Sequence, residues 1–147
     1  MLCYNTDKDT LDELIKRNYK ILAFEQGENG SVKYSKQNFS IVVERFMHMW
    51  LLLKQLRGQY RYIVTTDVKD VVFQTDPMVW LDRHLNGKKI NVACESITYE
   101  NEDWGKNNLL ASFGQAVYEE IKNSPIVNAG TISGDFDTML DFFFNIY

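Results

Sequence analysis

The stretch Tyr62-Ile63-Val64-Thr65-Thr66-Asp67-Val68-Lys69-Asp70-Val71-Val72-Phe73 decides how the chain reads. An apolar, β-branched run of this kind is a buried strand. It runs out into two carboxylates, Asp67 and Asp70, and Val71 to Phe73 reads as a second short β segment. In open α/β sheets, ligands bind beyond the carboxyl ends of strands. Two carboxylates placed there repel each other, and a hard divalent cation between them removes the repulsion. The competing reading is a solvated turn, because Asp favours turns. Asp76-Pro77 follows as a helix start, with Asp as N-cap and Pro in the first helical position.

Working outward, helix and strand signals alternate. Leu2 to Tyr4 reads as the stub of a first strand. Thr10 with Glu13 forms a capping box opening a helix whose buried stripe is Leu11, Leu14 and Ile15, stopped near Asn18. Lys20 to Phe24 reads as a strand, and Gln26 to Ser31 as a loop. Phe39, Val42, Val43, Phe46, Trp50, Leu53 and Leu56 recur at helical spacing up to Gly58. Ile41 and Leu52 lie on the other face, so much of this helix is expected to be buried. Downstream, Asn86-Gly87 ends the helix begun at Asp76, and Ile90 to Cys94 is a strand. Glu100 to Asn108 reads as a polar loop around Trp104, and Gln115 to Lys122 as a helix. Ile126 to Ile132 is a strand interrupted by Asn128-Ala129-Gly130, and a last helix starts near Asp135. This order predicts one α/β domain over residues 1–147, with a mainly parallel central sheet and helices on both faces. The short first strand and the unstopped last helix read as parts of a domain that extends further each way.

Composition narrows the function classes. The chain is 45% hydrophobic, in the globular range and not the disordered one. The net charge is −4 and the basic residues are scattered, so no nucleic-acid footprint is expected. No run reaches the roughly 20 apolar residues that span a bilayer. Without a signal segment, a soluble cytoplasmic protein is expected. Cys3 and Cys94 sit in strand-like stretches and read as buried small hydrophobes. With two histidines in the chain, His48 and His84, a histidine-based zinc site is not expected; His48 reads as a satisfied helix-face residue and His84 as exposed.

The residues from Arg45 to Trp80 resemble the glycosyltransferases of the GT-A fold, the nucleotide-diphospho-sugar transferases, a Rossmann-like family. There an apolar strand leads into an Asp-x-Asp motif; here the spacing is Asp67-x-x-Asp70. A basic residue followed by an aromatic one on the preceding helix is matched by Arg45 and Trp50. Asn128-Ala129-Gly130 resembles the family's Asn-x-Gly segment beside the donor sugar. The resemblance implies a metal-dependent hexosyltransferase. Mn²⁺ or Mg²⁺ would sit on Asp67 and Asp70, a UDP- or GDP-sugar would be the donor, and a glycan or other hydroxyl the acceptor. It implies donor binding by Arg45, Thr66, Asp67, Asn128, Ala129 and Gly130.

Each of these residues has a plainer reading. Arg45 suits a diphosphate, or an ion pair with Glu44 or Asp67. Gly130 suits close approach to a sugar, or a β-bulge without a ligand. Glu95, ending the Ile90 to Cys94 strand, is a candidate general base, or an exposed loop glutamate. Trp104 offers a stacking surface for an acceptor ring, or a packing anchor under its loop. Two other functions compete. A phosphotransferase with an aspartate nucleophile needs an acidic residue two positions on, where Lys69 stands. A non-catalytic binding module would keep the site without turnover.

Overall fold

The structure is a computed structural model and describes residues 1–24, 41–69 and 71–147. The expected loop over 26–31, Phe39 and Asp70 lie outside the described residues. The described chain divides into two compact units, residues 1–60 with 140–147, and residues 61–139.

In the first unit, β1 (Leu2–Tyr4) and β2 (Leu22–Phe24) pair in parallel, with Cys3 opposite Ala23. Helix α1 (Lys8–Lys16) connects them. Its N-cap is Asp7, not Thr10: the Asp7 carboxylate accepts from the Thr10 backbone N–H at 2.9 Å and its hydroxyl at 2.8 Å. Asp is the stronger cap, so the helix starts one turn earlier than the capping box suggests. Asn18 stops it in the left-handed region, φ 63. Leu11 and Leu14 are half-buried, but Ile15 is exposed.

Helix α2 (Ile41–Gln55) is less buried than its composition suggests. Val42, Val43 and Leu51 are exposed, whereas Glu44, His48 and Leu53 are buried. The inward polar residues have partners. His48 Nδ1 is 2.8 Å from the Tyr4 hydroxyl, and its ring stacks on Phe24 at 4.1 Å. Tyr147 donates to Glu44 at 3.4 Å. Burial holds the His48 pKa below its ordinary value, against the opposing pull of Glu44. Phe143 is fully buried and stacks near Phe46, 5.9 Å between ring centres.

The second unit holds β3 (Tyr62–Thr66), α3 (Pro77–His84), β4 (Ile90–Thr98), α4 (Asp103–Ile121) and β5 (Pro125–Asp135). Helix α5 (Phe136–Ile146) starts here and ends in the first unit. The sheet order is β3-β5-β4, and both pairings are antiparallel. This overturns the expected mainly parallel central sheet; among the described residues the one parallel pair is β1-β2. The cause lies between β4 and β5. Thr98 pairs with Pro125, the Tyr99 N–H reaches the Ser124 carbonyl at 3.4 Å, and the Glu100 N–H reaches that of Lys122 at 2.9 Å. The joined ends of the two strands therefore meet, so they form a hairpin and must run antiparallel. Residues 99–124 are an excursion of that hairpin, not a crossover.

The excursion begins with a single 3-10 turn, Tyr99–Asn101, and continues as α4. The expected polar loop around Trp104 is therefore helix. Glu102 is its N-cap, accepting from the backbone N–H of Trp104 and Gly105. Gly114 (φ 79, ψ 178) breaks α4, a conformation open to glycine and not to residues with a Cβ. Val71 to Phe73 is not a strand. Val72 and Phe73 are exposed, with no neighbouring strand among the described residues to satisfy an apolar run. Helix α3 follows the sequence: Asp76 accepts from Met78 N–H at 2.8 Å, Pro77 is the first residue, and Asn86 and Gly87 take positive φ. Cys94 is exposed, unlike the buried Cys3, because the β4 side chains beyond Ala93 face solvent.

Candidate functional site

Strand β3 ends at Thr66, opposite Thr131, and the Asp67 N–H continues the ladder to the Gly130 carbonyl at 2.8 Å. On the other side of β5, pairing with β4 jumps. Val92 faces Ile132, but Ala93 faces Asn128, so residues 129–131 have no partner on β4. A second irregularity lies between the pairs Cys94–Val127 and Thr98–Pro125, where β4 carries the extra residues. Bulges re-aim side chains and often border functional sites. Here the two bulges place Glu95 and Asn128 next to each other on one sheet face, and Gly130 beside Asp67.

The Asn128 amide ties this cluster together. Its Oδ1 accepts from the Gly130 N–H at 2.5 Å, and its Nδ2 donates to Glu95 Oε1. Because a backbone N–H must meet an oxygen, the orientation of the amide is fixed, and Nδ2 is left for the carboxylate. Gly130 leaves room for the bridge. A Cβ there would lie 2.7 Å from Asn128 Oδ1 and 3.0 Å from Asp67 Oδ2. The interruption Asn128-Ala129-Gly130 is thus a bulge that carries side chains, with Ala129 exposed at its tip. Asp67 and Glu95 are exposed, and Thr66, Asn128 and Gly130 are half-buried.

Chemically the cluster is rich in acceptors. Asp67 and Glu95 are both exposed carboxylates, and Glu95 accepts from the Asn128 amide. Such a set matches a ligand with several hydroxyl donors.

Arg45 sits on α2 in the first unit, with its guanidinium 5.0 Å from the Phe46 ring centre. Trp50 there packs against Phe144, under Lys54 at 4.4 Å. The metal expectation is corrected. Among the described residues no group of three or more His, Cys, Asp or Glu side chains could hold a metal ion, and Asp70 lies outside them. His84 is exposed and accounted for, its Nδ1–H donating to the Trp80 carbonyl at 2.8 Å and its ring stacked on Trp80.

A groove of about 370 Å³ lies at the other end of β3, lined by Arg61, Tyr62, Asp82, Lys89 and Asp135 among others. Its carboxylates are engaged. Asp82 meets Arg61 at 2.9 Å and the Tyr62 hydroxyl at 2.8 Å, which raises the Tyr62 pKa. Asp135 caps α5 through Thr138 and lies 3.8 Å from Lys89. The groove's charges therefore pair with one another at that end of the sheet.

The sequence named Asp67, Glu95, Asn128 and Gly130 singly; the bridge that joins them depends on a register shift that no local signal encodes. It missed Tyr99, whose hydroxyl accepts from the Val127 N–H at 3.4 Å beside the cluster. An aromatic residue just after a strand was the available cue. Among the described residues no helix is long and apolar enough to cross a membrane. No family model, curated protein or solved structure matches this chain.

Proposed function

We propose that the protein transfers a sugar from a nucleotide-diphosphate sugar to an acceptor hydroxyl, with the bulge cluster as the sugar site. The observation that carries this reading is the Asn128 bridge between Glu95 and Gly130, set beside Asp67. Asp67 and the Glu95 oxygen not held by Asn128 accept hydrogen bonds from sugar hydroxyls. Gly130, lacking a Cβ, lets the ring approach the backbone. Glu95 takes the proton of the acceptor hydroxyl as that oxygen bonds to the anomeric carbon. The bond from the anomeric carbon to the diphosphate oxygen breaks, and the electron pair leaves with the nucleoside diphosphate. The reading does not rest on a GT-A sheet, which the antiparallel β3-β5-β4 order excludes.

Calorimetric titration of UDP-glucose and GDP-mannose tests it, in EDTA and again with Mn²⁺ added. Binding of one donor by wild type, weakened at least tenfold in Asn128→Ala, supports the sugar site. Release of nucleoside diphosphate with a supplied acceptor then identifies transfer, and binding without release identifies a binding module. Failure of folded wild-type protein to bind either donor in both buffers refutes the proposal.

A further inference from the structure

Trp104 is 74% exposed, the most exposed tryptophan in the described chain. It does not pack beneath a loop, because it stands in the first turn of α4. That turn is fixed in place. Glu102 accepts from the N–H groups of Trp104 and Gly105, and Gly105 presses against β5 so closely that a Cβ there would lie 3.0 Å from Ile126 Cδ1 and 3.4 Å from Tyr99 Cδ1.

Ile126 and Asn128 are two residues apart on β5 and therefore share a sheet face. Asn128 reaches Glu95 on that same face. The first turn of α4 thus stands over the face that carries the acceptor cluster, displaced from Asn128 by about 7 Å along the strand. A large apolar surface left in water on the turn over this face, with hydroxyl acceptors on the same face, combines the two chemistries that a pyranose presents, C–H faces and hydroxyl edges. Tyr99, whose ring lies beside Gly105, accepts at its hydroxyl from the Val127 N–H on β5.

We infer that Trp104 is a stacking platform for the acceptor saccharide, next to the donor sugar at Asp67, Asn128 and Gly130. The inference rests on the sugar-transfer reading and adds a second ring position to it. It assigns Trp104 a binding role and no part in proton transfer.

The test uses the full chain and three trisaccharides, maltotriose, cellotriose and chitotriose, followed by tryptophan fluorescence and calorimetry. The same titrations are run on Trp104→Ala and Trp104→Phe, with UDP-glucose and GDP-mannose binding measured in parallel. One trisaccharide is expected to bind wild type and change its fluorescence. Trp104→Ala should weaken it about tenfold and Trp104→Phe less, with donor binding unchanged in both. Because the indole is exposed, both variants keep the fold, verified by circular dichroism. Trisaccharide binding that is equal in wild type and Trp104→Ala overturns the platform alone. Donor binding without any trisaccharide binding also overturns the platform while leaving the donor site standing. Loss of both donor and trisaccharide binding in wild type overturns the platform together with the reading beneath it.

Discussion

Replacing Gly130 by alanine isolates the bridge on which the candidate site depends. The new Cβ would sit 2.7 Å from Asn128 Oδ1 and 3.0 Å from Asp67 Oδ2, both ends of movable side chains. The φ of Gly130 is not in the left-handed region, so backbone strain adds nothing. Asn128 must therefore rotate away. Its rotation breaks the Gly130 N–H bond to Oδ1 and the Nδ2 bond to Glu95 together. Each is worth about 1 kcal/mol net, and neither is deeply buried, so water replaces part of the loss. The expected destabilisation is about 1 to 2 kcal/mol, a urea midpoint lower by roughly 0.5 to 1 M for a chain of this size. Urea denaturation followed by circular dichroism measures it, and the side-chain amide NMR signals of Asn128 should move. Stability within about 0.3 kcal/mol of wild type, a difference too small for two lost hydrogen bonds, with unmoved amide signals, would mean that the bridge is not formed.

Gly134 is the harsher case, because its neighbours are backbone. A Cβ there would meet the Lys89 carbonyl oxygen at 2.4 Å and Ile90 Cα at 3.0 Å, while that same carbonyl accepts from the Asp135 N–H at 2.9 Å. Gly134→Ala must part β4 from β5, and should cost about 2 to 4 kcal/mol, more than Gly130→Ala, by the same denaturation; equal losses would refute the ordering. The buried His48 makes stability depend on pH. Its folded pKa lies below the ordinary value of 6.5, so the unfolded chain takes up the proton first as pH falls. The His48 contribution is full above pH 6.5 and declines below it until the folded imidazole also protonates. His48→Gln should flatten that decline between pH 7.5 and 5.5, and an identical slope in the variant would contradict the assignment.

Much of the chain was legible residue by residue. The Asp76-Pro77 start, the Asn86-Gly87 stop and the amphipathic last helix depend on caps, positive φ and periodicity, which are local. Asp135 illustrates this: the residue read as the start of α5 is its capping side chain. Thr10 lost the cap to Asp7 because two capping readings compete within one turn. Val71 to Phe73 is apolar without being a strand, because a strand needs a neighbour to pair with and none of the described strands borders it. The loop around Trp104 became helix because Glu102 satisfies the first-turn N–H groups that a run of polar residues seems to leave open.

The sequence by itself determined where most of the elements are and which glycine stands in the bulge. Strand direction, by contrast, was decided by tertiary structure. Alternating β and α elements are equally consistent with a crossover and with a long hairpin. The choice was made by contacts between Thr98 and Pro125 and between Glu100 and Lys122, which are distant in sequence. The site follows the same rule. Asp67 is an ordinary polar residue just after β3, and Glu95 and Asn128 are ordinary polar residues inside β4 and β5. They form one cluster because an antiparallel β5, bulged against β4 and still in register with β3, brings the end of β3 beside the bulged middles of β4 and β5.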